Sequence, residues 1–99
     1  MRAMVLDGPN TEFVLKQVPD PIAGPGEAVA KVFACGSGLT IQHFKAGRTP
    51  AVFPRIIGHE ICAQIVEIGK GKTNLKIGDI VTSYFYMNCG TCNNCLSNL

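Results

Sequence analysis

Cys89, Cys92 and Cys95 stand at intervals of three in the run Cys89-Gly90-Thr91-Cys92-Asn93-Asn94-Cys95. Structural zinc takes three or four thiolates about 2.3 Å from the metal in a tetrahedron, and turn-forming Gly and Asn between the thiols let a loop curl around an ion. The spacing therefore reads as a metal cradle. Two other chemistries share parts of this pattern. A Cys-x-x-Cys redox dithiol normally opens a helix in a βαβ setting, and the sequence predicts neither the helix nor the setting. A zinc knuckle for nucleic acid needs cations for phosphate, yet no Lys or Arg follows Lys76. Three ligands leave a closed site one short. The fourth is expected beyond Leu99, so the chain reads as truncated.

A second set of donors is dispersed. Cys35 ends one apolar stretch and Gly58-His59-Glu60 opens another. A soft thiolate, an imidazole and an adjacent carboxylate suit a catalytic zinc, which keeps an open position for substrate. The plainer alternatives stay open: a His at a strand start is often a hydrogen-bonded structural residue, and a free Cys is often a small buried hydrophobe. Cys62, in an apolar strand, reads as that second case. Gly69-Lys70-Gly71-Lys72-Thr73 resembles the end of a phosphate loop, but Val66 stands where its first Gly is required. Gly36-Ser37-Gly38 lacks the third Gly of a dinucleotide fingerprint.

These donors need elements to position them. Arg2 to Leu6 and Glu12 to Val18 flank Asp7-Gly8-Pro9-Asn10 and read as a hairpin. Gly24-Pro25-Gly26 launches a third strand over Glu27 to Ala34, in which Val29, Lys31 and Phe33 alternate against Ala28, Ala30 and Val32. Ser37 to Ala46 loses strict alternation, and Gly47 suits the end of a short helix. Ile61 to Ile68, rich in β-branched residues between Gly58 and Gly69, is a strand. Ile80 to Met87 reads as a further β run. Residues 88–99 carry almost nothing apolar, so core packing does not order them.

Composition narrows the function classes. The chain has 99 residues, 46% of them hydrophobic and 16% charged, with a mean hydropathy of +0.21; general disorder is excluded. Eleven Gly and six Pro favour short elements over a helical bundle. A net charge of +2 does not imply a nucleic-acid partner. The apolar run after Met1 is shorter than the roughly 7 to 15 residues of a signal segment, and none approaches the roughly 18 that span a bilayer. Five cysteines, an odd number, then favour thiol or metal chemistry over disulfides and predict a cytoplasmic protein without a membrane partner.

Four motifs occur in register: Cys35-Gly36-Ser37, Phe53-Pro54-Arg55-Ile56-Ile57-Gly58-His59-Glu60, Leu75-Lys76-Ile77-Gly78-Asp79-Ile80-Val81, and the three-cysteine loop. Together they resemble the N-terminal part of the zinc-containing alcohol dehydrogenases of the medium-chain dehydrogenase/reductase superfamily. The resemblance implies a mainly β, GroES-like β-barrel with one or more short helices, truncated before the Rossmann domain that binds NAD or NADP. Residues 1–99 would form the N-terminal part of that catalytic domain, with an incomplete structural-zinc loop at 88–99. It further implies that Cys35 and His59 ligate a catalytic zinc, and that Glu60 ligates it in some members or exchanges with water. Ser37 would take the substrate alcohol's proton. Cys89, Cys92 and Cys95 would be three of four structural zinc ligands. No cofactor-binding residue is expected within the chain. The partners implied are a small alcohol or carbonyl substrate and, at full length, further copies of the same protein.

The chain departs from the family pattern at several positions. Gly38 stands where an Asp commonly orients the zinc-binding His, Thr40 stands where some members place a proton-relay His, and Ala63 replaces a usual Gly. His43 lies close enough in sequence to take over a relay, although nothing in the spacing fixes its direction. The activity implied is zinc-assisted oxidation of an alcohol or polyol to an aldehyde or ketone with NAD(P), and the fragment alone is expected to be inactive. The alternative is a non-catalytic GroES-like module whose zinc staples a loop for protein contacts. Cys35 with His59 and Glu60 favours the enzyme, and Gly38 favours the module.

Overall fold

The Asp7-Gly8-Pro9-Asn10 turn reverses the chain between β1 (Arg2–Leu6) and β2 (Phe13–Gln17), which pair antiparallel from Arg2↔Gln17 to Leu6↔Phe13. Asn10 takes the left-handed conformation that this reversal needs, with φ 58. The computed structural model describes residues 1–97. A second antiparallel sheet has the order β3-β4-β5, from β3 (Ala28–Cys35), β4 (Ile61–Ile68) and β5 (Ile80–Thr82). Between β3 and β4 lies α1 (Leu39–Lys45), and α2 (Asn93–Leu96) follows β5. The architecture is mainly β with short helices, as the residues led us to expect.

The regular alternation expected of the third strand does not hold. Register shifts fall between Val29 and Ala30 and between Val32 and Ala34, so that Val32 pairs with Ala63 and Ala34 with Cys62. Phe33 is thus the extra residue of a bulge two positions before Cys35. Bulges bend a strand and re-aim the side chains beyond them, here at the end of β3 that carries a candidate ligand.

The expected helix over 37–46 contracts to α1. It closes with the Gly47 N–H donating to the Phe44 carbonyl and the Arg48 N–H to the His43 carbonyl, with Gly47 at φ 70. That pair of bonds is a Schellman closure, which satisfies carbonyls the helix end leaves free. His43 and Lys45 lie in the last turn, where positive charge complements the helix dipole.

Two expectations near the C-terminal end are corrected. The β run read over Ile80 to Met87 is a strand only as far as Thr82, which pairs with Cys62. The ladder ends at that pair, one residue short of the start of β4 at Ile61, and Ser83 instead donates its hydroxyl to the His59 carbonyl. The cysteine loop, read as helix-free, contains the single turn α2, with Leu96 N–H donating to the Cys92 carbonyl at 3.0 Å. The redox setting is still not formed, because the neighbouring sheet is antiparallel.

Among the described residues the buried apolar side chains are Val5, Leu6, Ile41, Ala63 and Ile65, with Leu6 fully enclosed. They lie on the hairpin, α1 and β4. Leu6 and Arg55 exchange both backbone hydrogen bonds at 2.9 Å. This bridge clamps the irregular segment that leads from Phe53, through a cis Phe53-Pro54 peptide, to Gly58-His59-Glu60. Cys62, expected to be buried, is exposed. Side chains alternate across a strand, and Ala63 and Ile65 take the buried face of β4, which leaves Cys62 on the other.

Candidate metal centres

The cysteine loop draws three sulfurs together. One ligand atom from each of Cys89, Cys92 and Cys95 lies within 4.8 Å of the others, and this is the only group of three or more His, Cys, Asp or Glu ligands found among the described residues. Cys89 Sγ is 3.8 Å from Cys95 Sγ, and Cys92 Sγ is 3.4 Å from it. A zinc tetrahedron with bonds of about 2.3 Å has sulfur–sulfur edges of about 3.8 Å. The donor set therefore fits zinc in both chemistry and size.

Local backbone prepares one of these thiols. Cys89 Sγ accepts the Thr91 N–H at 3.5 Å, the Thr91 hydroxyl at 3.6 Å and the Cys92 N–H at 3.3 Å. Its pKa is lowered from 9.0 to about 6, chiefly by the Thr91 backbone N–H, then by the Thr91 hydroxyl, the Cys92 N–H and the Cys92 thiol. Each donor stabilises the thiolate, the form that binds metal.

The segments that carry the dispersed donors adjoin at one end of the β3–β4 pair. Cys35 is paired with Ile61, and the Gly36 N–H donates to the Glu60 carbonyl at 2.9 Å. Cys35 Sγ lies over Gly58, where a Cβ would stand only 2.6 Å from the sulfur; Gly58 also has φ 150, a conformation side chains rarely allow. Glycine is required there on both counts. His59 is half-buried and Glu60 exposed. Their segments adjoin, but the three side chains do not converge as a three-ligand group in the way the cysteine loop does. Ser37 is exposed in the connection from β3 to α1. His43 Nδ1 lies 3.4 Å from Arg48 Nη1, and no hydrogen bond joins it to Cys35, Ser37 or His59 among the described residues.

One neighbour of His59 was not anticipated. Phe85 meets the imidazole edge-on, with ring centroids 4.5 Å apart at 86°, a favoured aromatic geometry. The only sequence signal was the apolar run Tyr84-Phe85-Tyr86-Met87, which read as strand. A cleft of about 710 Å³ also reaches Cys35, lined by Met1, Met4, Val32, Ile57 and Ile61 among others.

Known proteins share this fold and much of this sequence. The Alcohol dehydrogenase GroES-like domain matches residues 24–99. An L-threonine 3-dehydrogenase of Cutibacterium acnes is 35% identical, aligned over 98% of this chain and 29% of its own length. An L-galactonate-5-dehydrogenase of Escherichia coli is 38% identical over 98% of this chain and 28% of its own. Among solved structures, a cobalt- and zinc-bound thermostable alcohol dehydrogenase of Pyrobaculum aerophilum superposes with a TM-score of 0.88 at 32% identity, over 98% of this chain and 30% of that one. An alcohol dehydrogenase from a Thermus species gives 0.86 at 31% identity, over 98% of this chain and 28% of that one.

The chain belongs to the alcohol dehydrogenase GroES-like family, within the medium-chain dehydrogenase/reductase superfamily. It spans 28–30% of the length of these relatives. No helix among the described residues is long and apolar enough to cross a membrane.

Proposed function

We propose that residues 1–99 are the N-terminal part of the catalytic domain of a zinc-dependent dehydrogenase that oxidises an alcohol or polyol to an aldehyde or ketone. The observation that carries this reading is the meeting of Cys35 with Gly58-His59-Glu60 at the end of β3–β4. Cys35 and His59 would hold a catalytic zinc, with Glu60 beside them. When bound, that zinc supplies a Lewis acid that lowers the pKa of an alcohol hydroxyl. NAD or NADP, held by residues outside this chain, supplies the hydride acceptor.

The chain's own residues have separable tasks. Ser37, two residues beyond Cys35 and exposed, would take the alcohol proton on its hydroxyl oxygen as its own hydroxyl proton passes to solvent. Phe85 packs against the His59 ring, and Ser83 holds the His59 carbonyl, so imidazole and backbone are both restrained. Cys89, Cys92 and Cys95 would hold a structural zinc, its fourth ligand coming from outside the described residues. The alternative of a non-catalytic, zinc-stapled module gains no support from relatives that are themselves dehydrogenases. The unpaired cysteines suit a reducing cytoplasm, and the complete protein is proposed to be a homo-oligomer.

The test is NAD(P)-linked oxidation of primary, secondary and polyol alcohols by the complete protein carrying this sequence. Ser37→Ala is expected to lower kcat about tenfold, the low end for loss of a positioned proton-transfer group, with zinc content unchanged. An unaltered kcat removes Ser37 from the mechanism. Failure to oxidise any alcohol in the panel, with both zinc sites filled, overturns the proposed activity.

A further inference from the structure

Gly36 and Gly38 bracket Ser37, and neither lies in the left-handed region; Gly38 has φ −85 and ψ −174. Their backbone conformations admit a side chain. Space does not, because Glu60 occupies it. A Cβ at Gly36 would stand 2.5 Å from Glu60 Oε2 and 3.0 Å from Glu60 Cβ. A Cβ at Gly38 would stand 3.1 Å from Oε2 and 3.4 Å from Oε1. Gly38 is also the N-cap of α1 and makes no side-chain cap bond, so the chain forgoes the hydrogen bond that Ser, Thr, Asp or Asn would make there. Among the described residues no hydrogen bond or ion pair holds the Glu60 carboxylate. Two bare backbone positions flank it, and in this placement Cys35, His59 and Glu60 do not converge as a ligand group.

We propose that Gly36 and Gly38 form a seat for the Glu60 carboxylate that keeps it off the Cys35–His59 pair, so that the residue at position 38 decides whether Glu60 serves as a further metal ligand. Gly38 is a positioning residue that acts through Glu60. This rests on the reading of Cys35 and His59 as metal ligands. A side chain at 38 takes up the seat, the flexible carboxylate swings away, and an anionic oxygen becomes available to the metal.

The test loads the chain with one equivalent of Zn²⁺, which fills the three-cysteine cradle, and then titrates Co²⁺. The readout is the visible absorption and thiolate charge-transfer band of the second equivalent. Gly38→Ala is expected to tighten second-site Co²⁺ binding about tenfold, the scale on which groups beyond the ligands tune metal sites, and to change the cobalt bands. In the Glu60→Gln background that gain should vanish. No gain, or an equal gain in both backgrounds, overturns the proposal.

A metal-free arm tests the seat alone by comparing Gly36→Ala in chains carrying Glu60 or Glu60→Ala. The loss in Tm should be smaller once the carboxylate is gone, since residues in contact are not additive. Equal losses overturn the seat while leaving the metal-site reading standing. A second Co²⁺ equivalent insensitive to Cys35→Ser overturns the metal-site reading, and the control of ligation with it.

Discussion

Cys89, Cys92 and Cys95 are brought together by a few residues of turn and one turn of helix, whereas Cys35 comes beside the Gly58-His59-Glu60 segment only because two strands distant in sequence pair along their length. In the first cluster Cys89 and Cys92 are exposed, Cys95 is half-buried, and Cys89 is hydrogen-bonded by the loop's own backbone. The second depends on the β3–β4 register, a bulge at Phe33, the Leu6–Arg55 bridge and a glycine at 58. A local cluster pays little loop-closure entropy to gather its donors, while a long-range cluster requires the fold to form first. Damage to the core should therefore separate the two.

The largest expected effect comes from the core. Leu6→Ala removes the most enclosed side chain and is expected to cost about 2–5 kcal/mol, the range for large-to-small core changes. Urea unfolding should show that loss, and cobalt titration should show the proposed Cys35–His59 site weakened with the three-thiolate spectrum retained. Equal loss at both sites would break the comparison.

Removing a thiolate tests the converse. Cys92→Ser should weaken cradle metal binding by about 100-fold or more, since disturbing even a group behind the ligands costs up to about 100-fold, as read by competition with a chromogenic chelator. The metal-free chain should keep its urea midpoint. A large fall in that midpoint would show that the loop supports the sheet.

Gly58→Ala should act between these extremes. Its Cβ meets Cys35 Sγ and its φ is 150, so a penalty of about 1–3 kcal/mol is expected from a strained backbone position. Second-site cobalt binding should weaken while the cradle is untouched, and both are read in one titration.

The smallest effect sharpens the account of the cradle itself. With its pKa lowered to about 6, Cys89 in the metal-free chain is thiolate above that pH and thiol below it. Its rate of alkylation, followed by mass spectrometry, should fall to half near pH 6 rather than near 9. Thr91→Val removes the hydroxyl donor and keeps the backbone N–H, the larger cause, so the midpoint should rise only part of the way back. A full return to 9 would assign the shift to the hydroxyl alone.

Much of the frame was legible in residue order. The hairpin around Asp7-Gly8-Pro9-Asn10, the strand Ile61–Ile68 and the helix before Gly47 follow from turn chemistry, β-branched composition and a glycine stop, and each is present. The three-thiol cradle was legible too, because its geometry is set within seven consecutive residues.

The end of β5 at Thr82, the exposure of Cys62 and the packing of Phe85 on His59 were not legible. An apolar run such as Ile80 to Met87 carries no mark of where its partner strand begins, and a cysteine in a strand carries none of which face the core takes. The sequence alone determined which donors exist and how the local cluster is spaced. Tertiary structure decided whether the distant donors meet and what lies between them, including the Glu60 carboxylate over Gly36 and Gly38. The physical reason is that register, bulges and close backbone approaches depend on pairing across the sheet rather than on neighbours along the chain.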